Sequence, residues 1–116
     1  PVRSVAIAVT GVRWCILSPD EAKFLNLDKT SAVAEDRLII RGVVYHGLLY
    51  RMTTTMLAES GENLVTDATV FIPRIDDGIE WKLPNFVGLQ GFLERMRFGI
   101  DPVTNSFYFG AIDEEG

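Results

Sequence analysis

Along most of this chain the hydrophobic positions recur with a period of two, the spacing of a strand with one buried face. From Leu48 to Met56 the even positions carry Leu48, Tyr50, Met52 and Met56, interrupted by Thr54, which predicts a strand over 48–57. Leu64 to Ile72 is dense in Val, Thr, Phe and Ile and predicts a second strand, ended by Pro73. Ala58-Glu59-Ser60-Gly61-Glu62 between them reads as a turn, so the two strands make a hairpin. Upstream, Arg37-Leu38-Ile39-Ile40-Arg41 predicts another strand, with Gly42 and Gly47 marking a bend or hairpin before Leu48. Near the other end, strands over Arg97 to Ile100 and Ser106 to Gly110 flank Asp101-Pro102-Val103-Thr104-Asn105, where proline and asparagine favour reversal.

The pattern changes after the apolar strand Arg13-Trp14-Cys15-Ile16-Leu17. Ser18 suits an N-cap, Pro19 suits the first helical position, and Glu21 stands three residues after the serine, the spacing of a capping box. Asp20 and Glu21 also lie at the positive end of the helix dipole. The spacing predicts a short helix over Pro19 to Leu25, with Asn26 closing it in the left-handed conformation.

Two blocks carry a resemblance to a known family. In the first, the apolar strand Ala6-Ile7-Ala8-Val9 runs into Thr10-Gly11-Val12, then into a second apolar strand and a short helix ending Leu25-Asn26-Leu27. In the second, Asn85-Phe86-Val87-Gly88 is followed by Phe92-Leu93 and the strand from Arg97. This order resembles the retropepsin-like aspartic proteases, most closely their bacterial-type members. Their Asp-Thr/Ser-Gly turn is followed by an apolar strand and a helix with a Leu-Gly-Leu-like end. Later comes an apolar-apolar-Gly strand end with a helix containing a Phe-Leu or Leu-Leu pair. The chain departs from that pattern at Asn26, which stands for glycine, in one extra residue before Phe92, and above all at Val9, which occupies the position of the catalytic aspartate.

The resemblance implies a mostly β, closed and folded sheet domain spanning 1–116, with one or two short helices. It also implies that the chain is one half of a two-fold symmetric homodimer. In that family the chemistry belongs to two carboxylates about 3 Å apart, which share a proton and activate a water between them. One chain carries one turn, so the second acid must come from a symmetry mate. Valine neither accepts nor donates a proton. The motif positions Val9, Thr10 and Gly11 therefore imply a fold without catalysis as written, in which Thr10 keeps a structural hydrogen bond across the interface. The resemblance also implies a flap closing over an extended peptide. The segment holding Gly42, Val43, Tyr45, His46 and Gly47 is where it is expected, with glycines at both ends of a mobile loop and Tyr45 and His46 as ligand contacts; a plain surface hairpin is the other reading.

Composition narrows the alternatives. With 47% hydrophobic and 23% charged residues in 116, one globular domain with a sizeable core is expected. No apolar window is long enough to span a membrane. No basic segment, apolar run and cleavage site stand at the N-terminus, so a cytoplasmic location is expected; the chain starts at Pro1 without methionine, which leaves room for a removed leader. A net charge of −5 with scattered basic residues opposes attraction to nucleic acid. One cysteine, Cys15, and one histidine, His46, exclude an internal disulfide and argue against a zinc site, so no metal or cofactor is expected. Cys15 reads as a buried thiol, and a Cys15-His46 nucleophilic pair has nothing in the sequence to join it. Asp67, in mid-strand, fits a wet face. Asp76 and Asp77 fit a loop before Trp81, which would cover a groove or cap the core. The terminal Asp113-Glu114-Glu115 reads as a solubilising end.

Three functions follow. The chain is an inactive retropepsin-like homodimer that binds an extended peptide by strand addition. Or it is an aspartic endopeptidase that works when position 9 is aspartate or the partner supplies the acid. Or it is a structural or interaction β domain whose Thr10-Gly11 turn is coincidental.

Overall fold

The computed structural model describes residues 6–8, 13–25, 27, 29–40, 42–74, 81, 83–104 and 106–112. Strand β1 (Ala6–Ala8) is followed by β2 (Cys15–Ile16), the helix α1 (Pro19–Ala22) and two single turns of 3-10 helix, Lys23–Leu25 and Lys29–Ser31. Then come β3 (Ala34–Ile40), β4 (Val43–Met56), β5 (Leu64–Pro73), β6 (Asn85–Val87), a 3-10 turn over Leu93–Arg95, β7 (Met96–Asp101) and β8 (Ser106–Ala111). The architecture is mostly β, as expected. Six strands form one sheet in the order β1-β6-β2-β5-β4-β3, and β7 and β8 form a separate antiparallel pair. Among the described residues no helix is long and apolar enough to cross a membrane.

The β4–β5 hairpin is the frame. Its register runs from Met56 opposite Leu64 to Gly47 opposite Pro73, and Asn63 Oδ1 accepts from the Ala58 N–H at 2.8 Å across its loop. Alternation along β5 sends Ala68 and Val70 to one face and Phe71 to the other, and both faces are covered. On the first lies a core of Cys15, Ala68, Val70, Phe92, Leu93 and Met96, with Met52, Met56, Leu64 and Ile72 packed beside it. On the second, Ile16, Leu49 and Phe71 pack with Trp14, Leu38, Ile40, Tyr45, Trp81 and Phe86. Only residues 68–71 of β5 are buried on both faces; before them Val65 and Asp67 are exposed on one face.

Helix α1 is shorter than the sequence predicts, because the last three residues of the expected span, Lys23–Leu25, tighten into a 3-10 turn. Ser18 caps it as expected, its Oγ accepting from the Glu21 N–H at 3.2 Å. The reciprocal half of the capping box is replaced by a longer circuit. The Glu21 carboxylate accepts from Asn85 Nδ2, and Asn85 Oδ1 accepts the Ser18 N–H at 2.8 Å. Asn85 is only 6% exposed, so both ends of its amide are satisfied inside the protein and α1 is tied to β6. Asn26 lies outside the described residues.

Strand β6 sits between β1 and β2. It runs parallel to β1, from Ala6 opposite Asn85 to Ala8 opposite Val87, and meets β2 antiparallel at Ile16 opposite Phe86. The strand before residues 9–12 and the strand after them are thus both held by the same three-residue segment. The Phe92-Leu93 pair lies in the turn and 3-10 helix beyond Gly88, and both side chains are buried. Asp101 Oδ1 accepts the Val103 N–H at 3.0 Å and shapes the β7–β8 turn where the sequence predicts a reversal.

Gly47 departs from expectation. The sequence reads it as the end of a loop, whereas it is a buried residue inside the continuous strand β4. A Cβ on Gly47 would stand 2.7 Å from the ring of Phe71 and closer still to the Ile72 carbonyl oxygen. The glycine is there because the Phe71 ring lies against the neighbouring strand and leaves no room for a side chain. Gly47→Ala is expected to lower unfolding stability by about 1–3 kcal/mol, the range for overpacking. Denaturant titration checks this, and adding Phe71→Leu should recover part of the loss relative to Phe71→Leu alone.

Candidate functional site

Strands β3 and β4 are joined by two residues, Arg41 and Gly42, with Ile40 opposite Val43. Gly42 has φ +80°, a left-handed conformation that glycine takes without strain. Strand β5 pairs with β4 from Gly47 onward, so among the described residues 43–46 have β3 as their one strand neighbour. The tip of this hairpin therefore projects past the end of β5. Its inward side chains Leu38, Ile40 and Tyr45 pack over the cluster that includes Trp14, Trp81 and Phe86. Tyr45 meets Trp81 edge-on, with ring centroids 5.0 Å apart and planes at 73°. Its outward side chains are wet, Ile39 being 71% exposed and Val44 and His46 also exposed.

Of the flap residues expected from sequence, Gly42 lies at the turn, and Val43 and His46 are exposed on the strand. Tyr45 turns inward to the aromatic cluster, and Gly47 belongs to the hairpin's buried base. The expected mobile loop over 42–47 is thus a regular strand from Val43 on, its backbone bonded across to β3. Val9, Thr10 and Gly11 lie outside the described residues, as do Asp76 and Asp77.

The contact that joins the hairpin to the neighbourhood of the motif involves residues that sequence reasoning did not single out. Trp14 Nε1 donates to Asp36 Oδ2 at 2.7 Å, and Arg13 Nη1 stands 4.0 Å from the same oxygen. Asp36 Oδ1 accepts the Arg37 N–H at 2.8 Å. Arg13 is anchored in turn, since its carbonyl accepts the Gln90 N–H at 2.7 Å. Asp36 stands in the charged run Glu35-Asp36-Arg37 that opens β3, and nothing in that run marks it apart from its neighbours. At the base of the hairpin an open cavity of about 310 Å³ is lined by Glu35, Arg37, His46 and Arg74 beside Asp36 and Gly47.

The Trp14 hydrogen bond, the Arg37 N–H and the charge of Arg13 hold the Asp36 carboxyl below its ordinary value. Burial pushes the Cys15 thiol up to about 11, opposed by a hydrogen bond with the backbone of Gly88, so it is protonated at neutral pH. Cys15 lies in the core beside Val70, whereas His46 is exposed on the hairpin, and no hydrogen bond joins them. This arrangement does not make a nucleophile and base. Asp67 is exposed opposite Thr53, whose hydroxyl donates to it at 3.4 Å, as a wet strand face allows. Among the described residues no group of three His, Cys, Asp or Glu side chains converges on a metal site. The described residues here form an apolar and aromatic cluster under a hairpin, with a carboxylate and a guanidinium at one side.

A carboxyl lowered on folding stabilises the protein above its ordinary value of 3.8, and that stabilisation is lost as pH falls through the lowered value. Thermal unfolding of the parent chain and of Asp36→Asn should therefore differ most at neutral pH and converge below the ordinary aspartate range. A difference that grows on acidification would contradict this assignment. Compared with family models, with curated proteins and with solved structures, the chain matches none.

Proposed function

We propose that this chain is a retropepsin-like domain without its catalytic acid, one half of a homodimer whose cleft binds an extended peptide beneath the β3–β4 hairpin. The observation that carries the reading is the arrangement around residues 9–12. Their flanking strands β1 and β2 are both bonded to β6, and the segment just after them meets a projecting hairpin through Trp14 and Asp36. A shared-proton site needs a turn held firmly at both ends, and the strands before and after residues 9–12 are both bonded to β6. The inward face of the hairpin is apolar and aromatic, which suits alternate side chains of an extended ligand. Apolar side chains left exposed on one face of the β7–β8 pair, Phe98 and Ile100, suit a further surface for a partner.

The chemistry follows from position 9. Valine offers no proton-transfer group, so peptide and dimer partner are bound and no water is activated. Restoring one acid per chain would restore two per dimer.

The parent chain and Val9→Asp should be incubated with a diverse peptide mixture between about pH 4 and 7, the range in which a shared-proton pair is active, and cleavage read by mass spectrometry. Cleavage by Val9→Asp alone is the expected outcome. Silence from both folded proteins would favour a structural or interaction domain, and cleavage by the parent would overturn the assignment of position 9.

A further inference from the structure

The β3–β4 hairpin leaves the sheet along one line. Asp36, Gly47 and Pro73 stand opposite one another across β3, β4 and β5. One residue further, the Arg74 N–H still reaches the His46 carbonyl at 2.7 Å. Beyond that point β5 gives the hairpin no more backbone bonds. On this same line Asp36 receives the Trp14 indole N–H at 2.7 Å, with Arg13 4.0 Å away. It holds the projecting part of the hairpin, whereas the Thr53 hydroxyl, which donates to Asp67 at 3.4 Å, lies within the paired stretch of β4 and β5. Two features suit a catch. The Asp36 side chain remains 25% exposed so that water can replace the bond, and Arg13 is fixed to the 88–91 turn through Gln90.

We infer that the Trp14–Asp36 hydrogen bond is a latch. Made, it holds the hairpin against the segment that follows residues 9–12. Broken, it lets the hairpin swing about the Asp36–Gly47–Pro73 line and uncover the Trp14, Tyr45 and Trp81 surface to an extended peptide. Trp14 and Asp36 are positioning residues in this account, which rests on the reading of the hairpin as the cover of a peptide cleft. The Arg13 guanidinium keeps the carboxylate aligned from one side, and the Arg37 N–H takes its second oxygen. Trp14 is suited to the task because its indole donates without titrating.

Spin labels at Ile39→Cys, on the exposed side of the hairpin, and at Gln90→Cys, on the turn bonded to Arg13, report the gap by pulsed electron resonance. Labelled chain is diluted with unlabelled chain so that only distances within one chain are read, and Cys15 is buried. The parent should give one narrow distance. Trp14→Phe, which keeps the ring and removes the donor, should add a second, longer distance, as should Asp36→Ala. Asp36→Asn retains an acceptor oxygen and should fall between them. In parallel, hydrogen exchange of the Arg74 amide should speed up about tenfold, the scale of one lost hydrogen bond to a charged group. The amides paired between 48–56 and 64–72 should stay unchanged. Unaltered distances in both Trp14→Phe and Asp36→Ala would overturn the latch, as would exchange accelerated uniformly across the sheet. Neither readout needs a peptide ligand or hydrolysis, so failure of the peptide-cleft reading would leave a latch result standing.

Discussion

The three residues of β6 lie between β1 and β2 and bond to both, fixing the strands that precede and follow residues 9–12. Asn85 starts this strand and makes its amide answer three demands at once: it takes the Ser18 N–H, gives to the Glu21 carboxylate, and stands opposite Ala6 in the sheet. An unsatisfied amide buried at this point would be expensive, at roughly 1–3 kcal/mol for each lost partner. The helix cap, the strand before the motif and the strand after it are therefore parts of one hydrogen-bonded unit. Phe86, one residue on, faces Ile16 and joins that unit to the core under the hairpin.

The second constraint is that the middle of the sheet, around residues 49–50 and 68–71, is covered on both faces. Ala68 and Val70 meet Phe92, Leu93 and Met96 on one side, and Phe71 meets Ile16 and Leu49 on the other. Phe71 is completely buried, and its ring is the reason that Gly47 lacks a side chain. The glycine in turn marks the place where the hairpin leaves β5. Core packing thus determines where the projecting segment begins, and the Trp14–Asp36 bond lies on the same line. The hairpin is coupled to the rest of the molecule through a few identifiable contacts, which is the condition for it to move as a unit.

Much of this was legible in the sequence where the cause is local. The Ser18-Pro19-Asp20-Glu21 cap, the β4–β5 hairpin and the Asp101 turn each follow from neighbouring residues. The fate of Glu21 was not legible, since its partner Asn85 is 64 positions away. Gly47 was misread for a similar reason: a glycine before an apolar strand signals a loop, and only the ring of Phe71 makes it an interior strand residue. Asp36 was not singled out, because its partner Trp14 is 22 positions away and gives no hint in the local pattern. The flap residues divide the same way. Gly42 is a turn residue by its own conformational freedom, whereas the inward path of Tyr45 depends on Trp81.

In the proposed homodimer, Val9 takes the place of the catalytic aspartate, so no close pair of carboxylates would form and the association should not depend on their titration. Sedimentation equilibrium across the range from about pH 4 to 7, in which such a pair would titrate, tests this most directly. The account predicts a species of twice the 12.9 kDa chain mass at every pH. A monomer throughout, or a dimer that dissociates steeply within that range, would contradict it.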